Sequence, residues 1–311
     1  LNREGSLMTD LSKIKNLLNL QSLMLKYSQN KRDFNDVFIN YHPQNIDNYY
    51  KEVLPTKLTI AEFILDNNTK LKIENDLKQF FDELNEFSFK KKENIVNLKG
   101  NAVEKKQIKQ KDINKLIKDI MKNIPTKAFI IKSENVVIVL NQYEKVKQEL
   151  EDINNLEFKP KNIMYDVLTT IYNIERNIKK VSNYAQEKFI KPFKVDLYGV
   201  SNKNFLKNAY YDPMTNKLVL GTFFNIGEQS VVNASNDTDV VIHELGHKLL
   251  DDLRPNYINN HFYFESGAVH EAFGDINAFL AAASDPNVKQ YIKDNNIDLS
   301  KSNIPVSYTH L

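Results

Sequence analysis

The sequence predicts an α+β fold, and three observations predict it. A stripe of apolar residues at helical spacing runs from about residue 162 to 188. Short apolar runs follow it, separated by turn residues. Two more helix-forming segments come next, about 239–253 and 267–283. A long amphipathic helix, a small group of strands and a helix pair are the parts of a layered fold around one core.

In chain order, residues 9–28 read as a helix. Leu11, Ile14, Leu18 and Leu25 share one face, and Leu17 broadens it. Residues 70–86 read as a second helix, carried by Leu71, Leu77, Phe80, Phe81 and Leu84. Residues 87–123 are rich in Lys, Asn and Gln, include the run Lys90, Lys91, Lys92, and read as a solvated face or loop. The apolar runs 128–131 and 136–140 flank Lys132-Ser133-Glu134-Asn135, which is the pattern of a β-hairpin. Near Pro160 the character changes. Ile163, Val167, Ile171, Ile174, Ile178, Val181 and Ala185 form the long stripe, which reads as core-facing. Strands are expected at 193–200, 209–211 and 217–222, with Asp212-Pro213-Met214-Thr215-Asn216 as the turn between the last two. Residues 225–237 read as a mostly polar loop. Asp237 or Thr238 caps the helix at 239–253, which Arg254-Pro255 ends. A boundary is placed near residue 158. Residues 1–158 are expected to form a mostly helical region, and 159–311 hold every informative residue.

The chain has 311 residues, enough for one large domain or two ordinary ones. Its 42 basic and 40 acidic side chains leave a net charge of +2, which favours neither nucleic acid nor an anionic membrane surface as a partner. There is no cysteine, so disulfides, Cys-ligated zinc and thiol catalysis are excluded. No apolar run reaches about 18 residues, and no membrane span is expected. Lys13, Lys15 and Lys26 interrupt the first thirty residues, so no signal peptide is read and the sequence as it stands points to the cytoplasm. Leu1 stands where Met is expected, with Met8 as the candidate start, and Pro305 to Leu311 resemble an adapter-encoded tail. On that reading the chain is truncated at its C-terminus, and an export signal further upstream is the alternative to a cytoplasmic protein.

The chemistry is carried by Val241-Ile242-His243-Glu244-Leu245-Gly246-His247, an H-E-x-x-H motif. On a helix, positions i and i+4 share a face, so His243 and His247 present two imidazoles to one ion. Zn²⁺ suits two imidazoles and a carboxylate, with a fourth position left for water. Glu244 is one residue along, placed to take a proton from that water as it attacks a carbonyl. Val240, Val241, Leu245 and Leu249 supply an apolar, helix-forming context. The third ligand is sought in Gly267-Ala268-Val269-His270-Glu271-Ala272-Phe273-Gly274-Asp275. Glu271 is the best candidate, with Glu265 and His270 competing. Asp275, at i+4 from Glu271, is placed to accept the other N–H of a ligating His, His243.

With both segments in view, the chain resembles the thermolysin-like gluzincins. Residues 239–247 resemble that family's active-site helix, and 267–275 its glutamate helix. The resemblance implies a zincin-like catalytic domain, a small sheet with these two helices, over roughly residues 162–285. Asn208-Ala209-Tyr210-Tyr211, followed by Lys217-Leu218-Val219-Leu220-Gly221, resembles the family's edge strand. That implies that Asn208 and Ala209 hold substrate by strand addition; read from the residues alone, 208–211 is a plain strand start. Asp239 matches a calcium-binding position of some members, but Ala281, Ala282 and Ala283 stand where acidic partners would follow, so no calcium site is expected. The gap from His247 to Glu271 is longer than typical. The family's oxyanion-stabilising His lies in a later subdomain, and His310, in the suspect tail, is not assigned that role. Tyr257, His261 and Tyr263, between the two helices, are the candidate donors, or else loop aromatics with no catalytic part.

The expected function is hydrolysis of internal peptide bonds in a peptide or protein substrate, with one catalytic Zn²⁺. The alternatives are a zinc aminopeptidase, a protease with one narrow protein target, and a non-catalytic zincin-fold binding or scaffold module. Retention of Glu244, which is not needed to hold zinc, weighs against the last. The N-terminal region has three readings: inhibitory propeptide, substrate-positioning domain or interaction module.

Overall fold

The chain divides into two contact units, residues 1–31 with 61–130, and residues 32–60 with 131–311. The computed structural model describes residues 20–33, 58–90, 109–151, 162–185, 192–201, 204–205, 208–213, 215–225, 230–254 and 264–298.

In the first unit, α1 (Leu20–Lys26) is the described part of the helix expected over 9–28. Strands β1 (Gln29–Asp33) and β2 (Thr59–Ile64) follow, then α2 (Asn67–Lys90), α3 (Gln110–Asn123) and β3 (Lys127–Lys132). The strand order is β1-β2-β3. Asp66 starts α2 by accepting from the Thr69 N–H at 2.7 Å. Ile73, Leu77 and Phe81, four residues apart, are its buried stripe, while Leu71 faces solvent. Helix α3 corrects the reading of 87–123 as solvated face or loop. Ile113, Ile117, Ile120 and Met121 are buried on one side of it. Over 110–123 the Lys and Asn residues form the outer face of an amphipathic helix, 87–90 end α2, and 91–108 lie outside the described residues.

The second unit opens with β4 (Val136–Leu140) and α4 (Tyr143–Glu151), followed by α5 (Ile163–Ala185). Then come β5 (Phe193–Asp196), β6 (Val200–Ser201), β7 (Asn204–Phe205), β8 (Ala209–Asp212), β9 (Lys217–Leu220), β10 (Thr222–Asn225) and β11 (Ser230–Asn233). A 3-10 turn at Ala234–Asn236 leads into α6 (Thr238–Leu253), α7 (Phe264–Ala283) and α8 (Pro286–Asp294). Residues 131–151, which precede the boundary placed near 158, belong to the same unit as the motif helices. The expected loop at 225–237 is corrected: β11 pairs antiparallel with β10, Val231 opposite Phe224 and Val232 opposite Phe223. Two valines among polar residues are too short a run to signal a strand without the partner.

The strand order here is β4-β5-β9-β8. β4 and β5 run parallel, as do β5 and β9, and β8 returns antiparallel to β9 with Tyr211 opposite Leu218. Asn216, in the turn between β8 and β9, has φ 50°, a left-handed conformation that Asn tolerates. Helix α5 is the core element. Residues 163 and 164 and 170–178 are all buried, so its stripe widens to its whole circumference. Glu149 on α4 caps it, accepting from the N–H groups of Ile163 at 3.1 Å and Met164 at 2.9 Å. Glu175, lower on α5, accepts from Asn135 N–H at 2.8 Å and from Asn135 Nδ2 at 2.7 Å, and so ties down the turn before β4. No helix among the described residues is long and apolar enough to cross a membrane.

Candidate metal centre

Helix α6 begins where the sequence places its cap. The Asp237 carboxylate accepts from the N–H groups of Asp239 at 3.0 Å and Val240 at 3.3 Å. Val241, Ile242, Leu245 and Leu249 are buried and fix which way the helix faces. That rotation carries His243 and Glu244 inside, at 1% and 2% exposure, with His247 half-buried one turn on.

Helix α7 meets α6 at two glycines. A methyl group on Gly246 would lie 2.8 Å from the Cα of Gly274, and one on Gly274 would lie 2.9 Å from the His243 ring. Backbone therefore touches backbone, and short carboxylates on α7 reach the histidines. Glu271 Oε2 lies 3.3 Å from His243 Nε2, and Glu271 Oε1 lies 3.7 Å from His247 Nε2. Asp275 Oδ1 lies 2.9 Å from His243 Nδ1. The Nδ1–H of His243 donates to Asp275, which fixes the tautomer and turns Nε2 toward Glu271.

This set fits a zinc ion. Bonds of about 2.0–2.1 Å at a tetrahedral centre put neighbouring ligand atoms about 3.3–3.4 Å apart. The 3.3 Å from Glu271 Oε2 to His243 Nε2 matches that edge, and the 3.7 Å from Oε1 to His247 Nε2 is a little longer. All three ligand atoms lie within 4.8 Å of one another. Among the described residues, His243, His247 and Glu271 are the group of side chains that could hold a metal ion.

Glu244 sits beside them on α6. Burial, and then the charge of Glu271, push its carboxyl up to about 8, while a hydrogen bond with the backbone of Tyr211 opposes the shift. Two acidic groups in one pocket thus differ: Glu271 is half exposed and Glu244 is enclosed.

The competing ligands fall elsewhere. His270 is buried, its ring centroid 5.6 Å from that of His247 and tilted by 30°, a stacked neighbour outside the ligand group. Glu265 lies in the first turn of α7, not before the helix, and is exposed. Asn208 is exposed, and its Oδ1 accepts from the Ala209 N–H at 3.0 Å. Ala209 is buried on β8, the last strand of its order. Tyr257, His261, Tyr263 and His310 lie outside the described residues.

The sequence reading missed Asn277, Asn177 and the glycine contact. Asn277 Nδ2 donates to the Ile242 carbonyl at 2.9 Å. The signal was present: buried Asn on a helix as apolar as α5 or α7 demands a partner.

No family model matches the chain, and no solved structure matches it. The chain is similar to the CRISPR-associated endoribonuclease Cas13a of Leptotrichia shahii, 25% identical over 242 residues, which is 75% of this chain and 16% of that protein.

Proposed function

We propose that this chain is a zinc-dependent metallopeptidase that cuts internal peptide bonds. One observation carries the reading: two imidazoles and a carboxylate converge with their ligand atoms within 4.8 Å of one another, and a buried glutamate outside that group follows His243 directly. Bound by His243, His247 and Glu271, zinc would supply Lewis acidity and make water a nucleophile near neutral pH.

The chain's own residues supply the rest. Glu244 takes the proton of the attacking water and delivers it to the departing amine. Asp275 holds His243 by Nδ1. The backbone of Tyr211 hydrogen-bonds Glu244, so that face of β8 turns toward the base. Backbone direction repeats every two residues, so Ala209 turns its N–H and C=O the same way. An extended peptide added along β8 would have its own carbonyl delivered beside Glu244. β8 is the last strand of its order among the described residues, and strand addition there requires no free chain end, which suits internal cleavage.

RNA cleavage is a second reading, favoured by the similarity to the endoribonuclease. It has that similarity alone, across 16% of that protein. The charge balance of +2 adds nothing to it.

The test offers zinc-loaded protein four substrates: an unfolded protein, an N-terminally blocked peptide, its free counterpart and single-stranded RNA. The expected result is cleavage of the unfolded protein and of both peptides, reduced at least about 100-fold in Glu244→Gln. Cleavage of RNA, or cleavage unaffected by Glu244→Gln, overturns the proposal.

A further inference from the structure

Asn177 on α5 and Asn277 on α7 are buried, at 4% and 7% exposure. Their amides are reciprocal. Asn177 Nδ2 donates to Asn277 Oδ1 at 3.2 Å, and Asn277 Nδ2 donates back to Asn177 Oδ1 at 3.1 Å. The second hydrogen of Asn277 Nδ2 goes to the Ile242 carbonyl on α6 at 2.9 Å. Three helices therefore meet through one pair of side chains.

Stability alone does not call for this pair. Two apolar side chains of like shape would fill the space with no polar group to satisfy. What amides add is direction. Direction matters where α6 and α7 meet, because the carboxylates of one must reach the histidines of the other. At Gly246 and Gly274 the helices approach backbone to backbone, and the Asn277 side chain packs beside Gly246 at that crossing. Ile242 directly precedes His243. Asn277 follows Asp275 by two residues and Glu271 by six. A bond from Asn277 to Ile242 therefore sets the height of both carboxylates against His243. A slip of about 1 Å would loosen the 2.9 Å contact with Asp275 and the 3.3 Å contact with Glu271 together.

We infer that the Asn177–Asn277 amide pair is the positioning device of the metal centre. Asn277 holds α7 in register with α6, and Asn177 holds the Asn277 amide in the orientation that does so. Neither residue belongs to the group that could hold the ion. The inference rests on the metal-centre reading above.

Zinc affinity, measured by competition with a chromogenic chelator, is the readout, with thermal melting of the metal-free protein as the control for folding. The double variant Asn177→Leu with Asn277→Leu removes all the amide groups at once. It is expected to melt close to the parent and to bind zinc about 10- to 100-fold more weakly. A double variant that binds zinc within about twofold of the parent overturns the inference, because the pair would then be only a satisfied core contact. If the double variant does not fold, two single variants decide. Asn177→Ala keeps the Asn277 donor to Ile242 but removes what orients it, and Asn277→Ala deletes the bond outright. The second is expected to bind zinc the more weakly, and equal affinities overturn the inference. A parent protein that binds no zinc is a different failure: it removes the metal centre, and the inference falls with it.

Discussion

A methyl group on Gly274 would lie 2.9 Å from Cε1 and Nδ1 of His243 and 3.1 Å from its Nε2. The obstacle is a whole ring that Asp275 already holds on its other side, so neither can yield without disturbing the site. Gly274→Ala is expected to weaken zinc binding about 10-fold or more. Gly267, on the same helix, has nothing within 4 Å of the same position. Gly267→Ala is expected to leave zinc binding unchanged and to raise the melting temperature slightly, since Ala is the better helix former. Chelator competition and a melt on both variants check the pair; equal zinc affinities would show that the glycine contact does not shape the site. At this scale the sequence told a good deal. His243 and His247 were legible because four residues on a helix is one face. Glu271 and Asp275 were legible for the same reason, and their roles as ligand and as partner of His243 were read from that spacing before the family resemblance implied them too. Asn277 was legible only as a polar residue in an apolar helix; which residue it pairs with was not, because Asn177 is 100 residues away.

Elements were legible where apolar spacing was regular and hidden where polar residues were dense. Helix α5 was read to within a few residues, 162–188 against Ile163–Ala185. Helix α3 was hidden by its own solvent face, although Ile113, Ile117 and Ile120 keep helical spacing. Strand β11 depends on β10 for its hydrogen bonds, which no local pattern records. The end of α5 also carries a pH dependence. Burial lowers Lys180 from its usual 10.5 to about 8; Arg176 adds to the shift, Asp285 opposes it and Lys289 adds a little. Arg176 itself pairs with Asp285 at 3.3 Å. Between about 8 and 10.5 the unfolded chain therefore holds more protons at this group than the folded one, and stability rises with pH across that window. Below it, folding bears the full penalty of the buried charge. Lys180→Met removes that penalty. It is expected to melt above the parent at about pH 7, by a margin that shrinks as pH rises through about 8 to 10. A margin that stays constant with pH would mean that the ammonium is not strained by its surroundings.

At the scale of the whole chain, chemistry and composition separate cleanly. Composition ruled out cysteine chemistry and gave no electrostatic footprint for nucleic acid, but it could not place a single residue. The motif residues fall in the second contact unit, which joins residues 131–151 to the helices that carry them. That grouping was not visible from the sequence, because it depends on strand β4 pairing with β5 across more than fifty positions. The central claim is that His243, His247 and Glu271 hold one ion while Glu244 does not. The measurement that tests it most directly is the zinc content of the reconstituted parent, Glu244→Gln and Glu271→Ala. About one zinc per chain is predicted in the first two, and much less in the third. A parent without zinc, or a Glu271→Ala that keeps a full complement, would contradict it.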